Sequence, residues 1–248
     1  MKGFLAALMM LTRIPLWRVV TLDKRYFSDV LVYWPLVGYL TGLATALTLW
    51  GASVIMPPFP ACVLAVAVRL LLTGAIHEDG FADFWDGFGG GRTKERILTI
   101  MKDSHIGSYG TIGLVVYFML YVSLLFSLDM PEAFPLIICV DVFSKFCTSV
   151  MINTLPYARE EEEAKTKVVY RRNRLWVFGV VALFVFASFV FVGDWRYLWA
   201  LLLPVLFSVF LRGYMKRKIG GYTGDCCGAC FLMTEVVCYL GVVVVYCW

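Results

Sequence analysis

Between His77 and Gly91 the chain gathers one imidazole and four carboxylates, Glu78, Asp79, Asp83 and Asp86, in surroundings that are otherwise strongly apolar. Asp79, Asp83 and Asp86 stand at i, i+4 and i+7, so on a helix they return to one face and converge. Converging carboxylates repel each other unless a cation lies between them. Hard oxygen donors that leave room for water and phosphate suit Mg2+ better than zinc or copper. The competing reading is a solvated amphipathic helix. Against it, Phe81, Ala82, Phe84, Trp85 and Phe88 interleave the acids, and no lysine falls between 77 and 91. A metal site is therefore the expectation. The glycines of the stretch either let backbone approach a phosphate or cap and release a helix.

The elements that must hold this cluster are membrane helices. Of 248 residues, 60% are hydrophobic and 16% are charged, with mean hydropathy +0.78, whereas a soluble domain carries about a quarter charged residues. Residues 3–11 are apolar behind Lys2, but Arg13, Pro15 and Arg18 follow without a small-residue cleavage site, so the segment reads as an interfacial amphipathic helix, not a signal peptide. Spans are expected near 30–55, 60–76, 111–128, 133–152, 175–192, 197–211 and 226–247, the sixth being the shortest. Segments 1–29, 77–110, 153–174 and 212–225 hold 19 of the 22 Lys and Arg residues. The positive-inside rule then predicts seven spans, with the N-terminus and the acidic cluster cytoplasmic. The expected architecture is an all-α polytopic bundle forming one membrane-embedded domain over 1–248, with its active-site segments near 77–110, 153–174 and 212–225.

Other polar positions are weighed against structural roles. Lys102, Asp103, Ser104 and the glycines up to Thr111 precede the third span, either as an anion site at a helix N-terminus or as an ordinary capped helix entry. Asp141 and Lys145 lie inside the fourth span at i, i+4, where ions are costly and usually paired or functional. Arg69 could reach the same mouth as His77 by snorkelling. Gly38 and Gly42 read as helix packing. Glu160–Glu163 read as a solvated run, and the basic residues after them as contacts for an anionic substrate or lipid headgroups. Lys216, Arg217 and Lys218 run into Gly220-Gly221-Tyr222-Thr223-Gly224-Asp225, a plausible phosphate cradle in which Asp225 is a fourth candidate metal carboxylate. Glu235 is a buried acid without an obvious partner. Cys227 and Cys230 have CxxC spacing but no companion ligands, so packing is the expected role. Nothing suggests nucleic acid. Together these residues describe a membrane enzyme of phosphoryl or nucleotidyl transfer, in which metal and basic groups neutralise a pyrophosphate.

Several ordered blocks then carry a family resemblance. Leu11-Thr12-Arg13-Ile14-Pro15, Trp34-Pro35-Leu36-Val37-Gly38, His77-Glu78-Asp79-Gly80-Phe81-Ala82-Asp83 with Asp86-Gly87, Ile100-Met101-Lys102-Asp103-Ser104 up to Gly110, and Gly220-Gly221-Tyr222-Thr223-Gly224-Asp225 with Gly228-Ala229 and Glu235 follow one another nearly end to end. In these the chain resembles the cobalamin synthase (adenosylcobinamide-GDP ribazoletransferase) family. Phe81 stands where the family often has Leu, and Glu78 is an added acid; neither disturbs the aspartates.

The resemblance implies that the 5'-hydroxyl of α-ribazole, or its phosphate, attacks the cobinamide-side phosphorus of adenosylcobinamide-GDP, releasing GMP and forming adenosylcobalamin. It implies Mg2+ on Asp79, Asp83 and Asp86 with Asp225 nearby. His77 would be a general base or a partner orienting Asp79. Substrate contacts would come from Lys102, Asp103, Ser104, Lys216, Lys218 and Thr223, and less securely from Arg69 and Lys145. It implies a bacterial cytoplasmic membrane with the site on the cytoplasmic side, and leaves open a homo-oligomer and association with other late cobalamin enzymes. Two rivals are a CDP-alcohol phosphotransferase, whose Asp-Gly-x-x-Ala-Arg departs from Asp79-Gly80-Phe81-Ala82-Asp83, and an ion-coupled transporter, which would carry its acids near the midplane within a repeat.

Overall fold

The computed structural model describes residues 1–159 and 169–247. Continuous apolar sequence can satisfy its own backbone in a bilayer only as helix, and helix is what forms: α1 Lys2–Leu11, α2 Val30–Ile55, α3 Pro58–Thr73, α4 Ile76–Gly90, α5 Lys94–Ile100, α6 Ser108–Phe126, α7 Met130–Asn153, α8 Leu175–Phe189, α9 Tyr197–Ala200, α10 Leu202–Ile219 and α11 Gly224–Tyr246. Among the described residues the only strand-like pairing is an isolated bridge between Tyr157 and Tyr222.

Each expected span has its helix, but their lengths differ from expectation. Five stretches are long and apolar enough to cross a membrane, namely Lys24–Ile55, Ser108–Phe126, Glu132–Asn153, Tyr197–Ile219 and Gly224–Tyr246. The sixth expected span is therefore not short, because its helix runs on through the basic residues to Ile219. The second and fifth are short instead, with α3 of 16 residues and α8 of 15. Helix α3 joins α4 through a 93° bend, and the pair passes as one broken span. The corner is local chemistry. Gly74 (φ +65°) and Ala75 (φ +55°) are both left-handed, which stops one helix and redirects the next. The Arg13 side chain lies against Gly74, where any side chain would collide with it.

Gly38 and Gly42 do serve packing. They let α2 approach α7 so closely that added Cβ atoms would stand 2.9 Å from the Cα atoms of Val142 and Ile138. On the lipid side, leucines, valines and aromatics such as Leu71, Met119, Leu183 and Phe210 stay exposed, as expected where the solvent is hydrocarbon.

Candidate active site

Two helix starts build the site. Asp79 lies in the first turn of α4 and Asp225 in the first turn of α11, where carboxylates suit the positive end of the helix dipole. Thr223 caps α11 by accepting a hydrogen bond from the Cys226 amide at 3.4 Å. The two helices cross at glycines. A Cβ on Gly80 would stand 2.8 Å from the Asp225 carbonyl oxygen, and one on Gly228 would stand 2.7 Å from that of His77. Without those methyls the α4 and α11 motifs meet, and His77, Asp79, Thr223 and Asp225 line one cavity of about 250 Å³. Trp34, Tyr157, Arg159, Tyr170 and Tyr222 line it too.

Aromatic groups position the imidazole. His77 is buried, with its ring centroid 5.5 Å from Trp34 and 5.0 Å from Phe231. Its Nε2 is buried without a hydrogen-bond partner, and so are Trp34 Nε1 and Arg159 Nε. Three buried polar atoms without partners on residues of one cavity wall are unusual, since such groups are normally paired. The loop carrying Tyr157 is tied to the α11 approach: Ala158 donates to the Tyr222 carbonyl at 2.8 Å, and Tyr222 donates to the Pro156 carbonyl at 3.0 Å.

The remaining expected residues lie elsewhere. Asp86 is buried, and its two carboxylate oxygens accept from the Gly107 and Gly110 amides at 2.7 and 2.8 Å. The anion at the start of α6 is thus the protein's own aspartate. Asp83 is half-buried and Asp79 exposed. Among the described residues, no three His, Cys, Asp or Glu side chains stand close enough to hold a metal by themselves. Asp79 and Asp225 are the two carboxylates on the cavity wall, a donor set of the kind Mg2+ takes together with waters and substrate phosphates. Lys102, Asp103, Ser104, Lys216 and Lys218 are exposed. Asp103 is held below the usual carboxylate range by the His105 amide and by the ring beside it, whose Nδ1 is 2.7 Å away. The acidic run and Lys165 and Lys167 lie outside the described residues.

Arg69 and Lys145 are away from the cavity. Arg69 is buried, its guanidinium 2.5 Å from Glu235, hydrogen-bonded to the Tyr117 and Tyr121 hydroxyls at 2.5 and 3.1 Å, and 3.5 Å from Glu78. Snorkelling fails because buried Glu235 holds Arg69 in the bundle, and Arg69 is the partner that Glu235 lacked in sequence. Lys145 pairs with Asp141, and the Thr41 hydroxyl bonds to both, closing α2 on α7. The residues that sequence reasoning missed are Trp34, Tyr157, Arg159, Tyr170 and Tyr222. Trp34 and Tyr222 stand inside motif blocks without having been given a role, whereas Tyr157, Arg159 and Tyr170 had no signal beyond being aromatic or basic.

Comparison with known proteins fits this geometry. The family model described as cobalamin-5-phosphate synthase matches residues 3–243. Relatives named adenosylcobinamide-GDP ribazoletransferase include that of Shewanella frigidimarina, 35% identical over 98% of this chain and 94% of the relative. Those of Shewanella putrefaciens and Shewanella baltica are 36% identical with the same coverage. No solved structure gives a significant match. With nearly its whole length matched and both motif helices meeting at one cavity, the chain belongs to the cobalamin-5-phosphate synthase family.

Proposed function

We propose that this chain is an adenosylcobinamide-GDP ribazoletransferase of the bacterial cytoplasmic membrane, with the cavity on the cytoplasmic side. It joins adenosylcobinamide phosphate to α-ribazole or its 5'-phosphate and releases GMP. The supporting observation is one cavity that carries two carboxylates and a buried imidazole with an unmet nitrogen. In the reaction a ribazole hydroxyl oxygen forms a bond to the cobinamide-side phosphorus, the phosphoanhydride bond to GMP breaks, and the hydroxyl proton must leave. The 5'-oxygen expected from sequence is set aside, because a product that is a cobalamin 5-phosphate keeps that position esterified, so another ribose hydroxyl attacks. His77, a cavity residue whose Nε2 has no hydrogen-bond partner, is the group this reading assigns to take the proton.

Asp79 and Asp225, with Asp83 one turn further along α4, would hold Mg2+ against the diphosphate. When bound, Mg2+ supplies charge neutralisation on the phosphoryl oxygens and the leaving group. Asp86 fixes the Gly107–Gly110 turn and so the loop bearing Lys102 and Ser104. That loop and the Lys216–Lys218 end of α10 are the basic surfaces for phosphates and the bilayer. A CDP-alcohol phosphotransferase and a transporter are not favoured, because the family match spans the chain. The test uses membranes containing the protein with adenosylcobinamide-GDP and α-ribazole, with Mg2+ or EDTA. Coupled, metal-dependent appearance of GMP and adenosylcobalamin is expected; absence of both with folded protein overturns the reading.

A further inference from the structure

Two hollows meet at Asp79. The first is the aromatic cavity with His77. The second, of about 450 Å³, is lined by Thr12, Arg13, Trp17, the Thr73–Ile76 corner and Asp79. Asp79 lines both, His77 only the first and Arg13 only the second. Displacement at phosphorus puts the attacking and leaving oxygens on opposite sides, and a base must lie on the attacking side.

The first hollow has the chemistry of a flat heterocycle with hydroxyls. Tyr170 and Tyr222 are near parallel, 7° apart with centroids 6.3 Å apart, and Tyr157 meets Tyr222 edge-on at 5.4 Å. Trp34 and Arg159 of the same wall each carry a buried donor with no acceptor. At about 250 Å³ the cavity is below the roughly 300–1,000 Å³ of drug-sized pockets.

Resting on the reaction above, we propose that the aromatic cavity seats the base of the acceptor nucleoside, with Tyr157, Tyr170 and Trp34 setting its affinity, and that Arg13 across Asp79 contacts the phosphates of the donor. The two substrates thus approach one metal-binding carboxylate from adjoining hollows.

The experiment is a KM split supported by equilibrium dialysis of α-ribazole against the detergent-solubilised protein without donor. Tyr170→Leu should raise the KM and Kd for α-ribazole about tenfold, within what one base–aromatic stack is worth, leave the KM for adenosylcobinamide-GDP within about twofold, and be rescued by Tyr170→Phe. Tyr157→Leu is the second variant should the first fail to fold. Arg13→Gln should do the reverse, raising the donor KM about tenfold and leaving α-ribazole binding unchanged. If the wild type turns over normally but the tyrosine variants move only the donor KM, or neither KM, this assignment falls and the function stands. If the wild type neither binds α-ribazole nor turns over, the function itself falls.

Discussion

The buried ion pairs of the bundle and the carboxylates of the cavity are made of the same residue types under opposite conditions. Arg69 is surrounded by Glu235, Glu78, Tyr117 and Tyr121, and lies over the Tyr121 ring at 4.5 Å. Lys145 is closed off by Asp141 and Thr41 and lies 4.0 Å from the centre of the Phe231 ring. In the cavity, by contrast, His77 Nε2 is unmet and Asp79 is exposed. Removing one member of a buried pair strands the other charge, whereas removing a cavity group deprives only a ligand. Complete pairing at Arg69 and Lys145 therefore marks structure, and the unmet nitrogen of His77 with the exposed Asp79 marks the cavity side. Glu78 stands at the border, 3.5 Å from Arg69 through one oxygen while its other oxygen is unmet.

The largest expected effect is on the cavity side. Asp79→Asn and Asp83→Asn should each bring turnover to background, read as GMP release at saturating Mg2+, while the protein still inserts and melts near the wild-type temperature. Near-normal activity in either variant would remove that residue from the metal set. On the bundle side, Arg69→Leu should cost about 3–5 kcal/mol by leaving Glu235 uncompensated, read as a lowered Tm in detergent. The double variant Arg69→Met, Glu235→Leu should regain most of it; a double variant no more stable than the single would mean the pair has a role beyond structure. His77→Ala should slow turnover roughly 10²–10⁴-fold with little change in Tm, and a loss below tenfold would make His77 a positioning residue. The smallest effect separates the two regions at Asp86. Asp86→Asn keeps one acceptor oxygen and loses the other, so it should cost about 1 kcal/mol and leave measurable turnover. A fall to background like that of Asp79→Asn would place Asp86 on the metal.

Composition and charge alternation made the helical membrane architecture legible, because apolar length and loop charge are one-dimensional properties. The i, i+4, i+7 spacing of the aspartates was legible as a helix but not as a destination. The α6 amides that claim Asp86 lie 21 and 24 residues further on, and only the packing of α4 on α6 brings them there. Arg69 misleads for the same reason, since its partner Glu235 is 166 residues away. The tyrosine-lined wall was the least visible. Tyr157 and Tyr170 come from a loop with no period and no motif, Tyr222 from a motif read for its glycines and Asp225, and they form a surface only once the Pro156–Ala158 backbone pairs with Tyr222.

The crossing of α4 and α11 bears on how any mutational survey of this enzyme would read. At Gly80 and Gly228 the opposing neighbour is main chain, not a side chain that can swing aside. An alanine at either position acts as a wedge, prising apart the two strips that carry Asp79 and Asp225. Such variants would score as inactive in a survey and be counted with the aspartates, though neither glycine has an atom to offer a substrate. Lost activity, the usual signature of a reacting group, would here record only a gap opened between two walls, and a lowered Tm would tell the wedge from the aspartates.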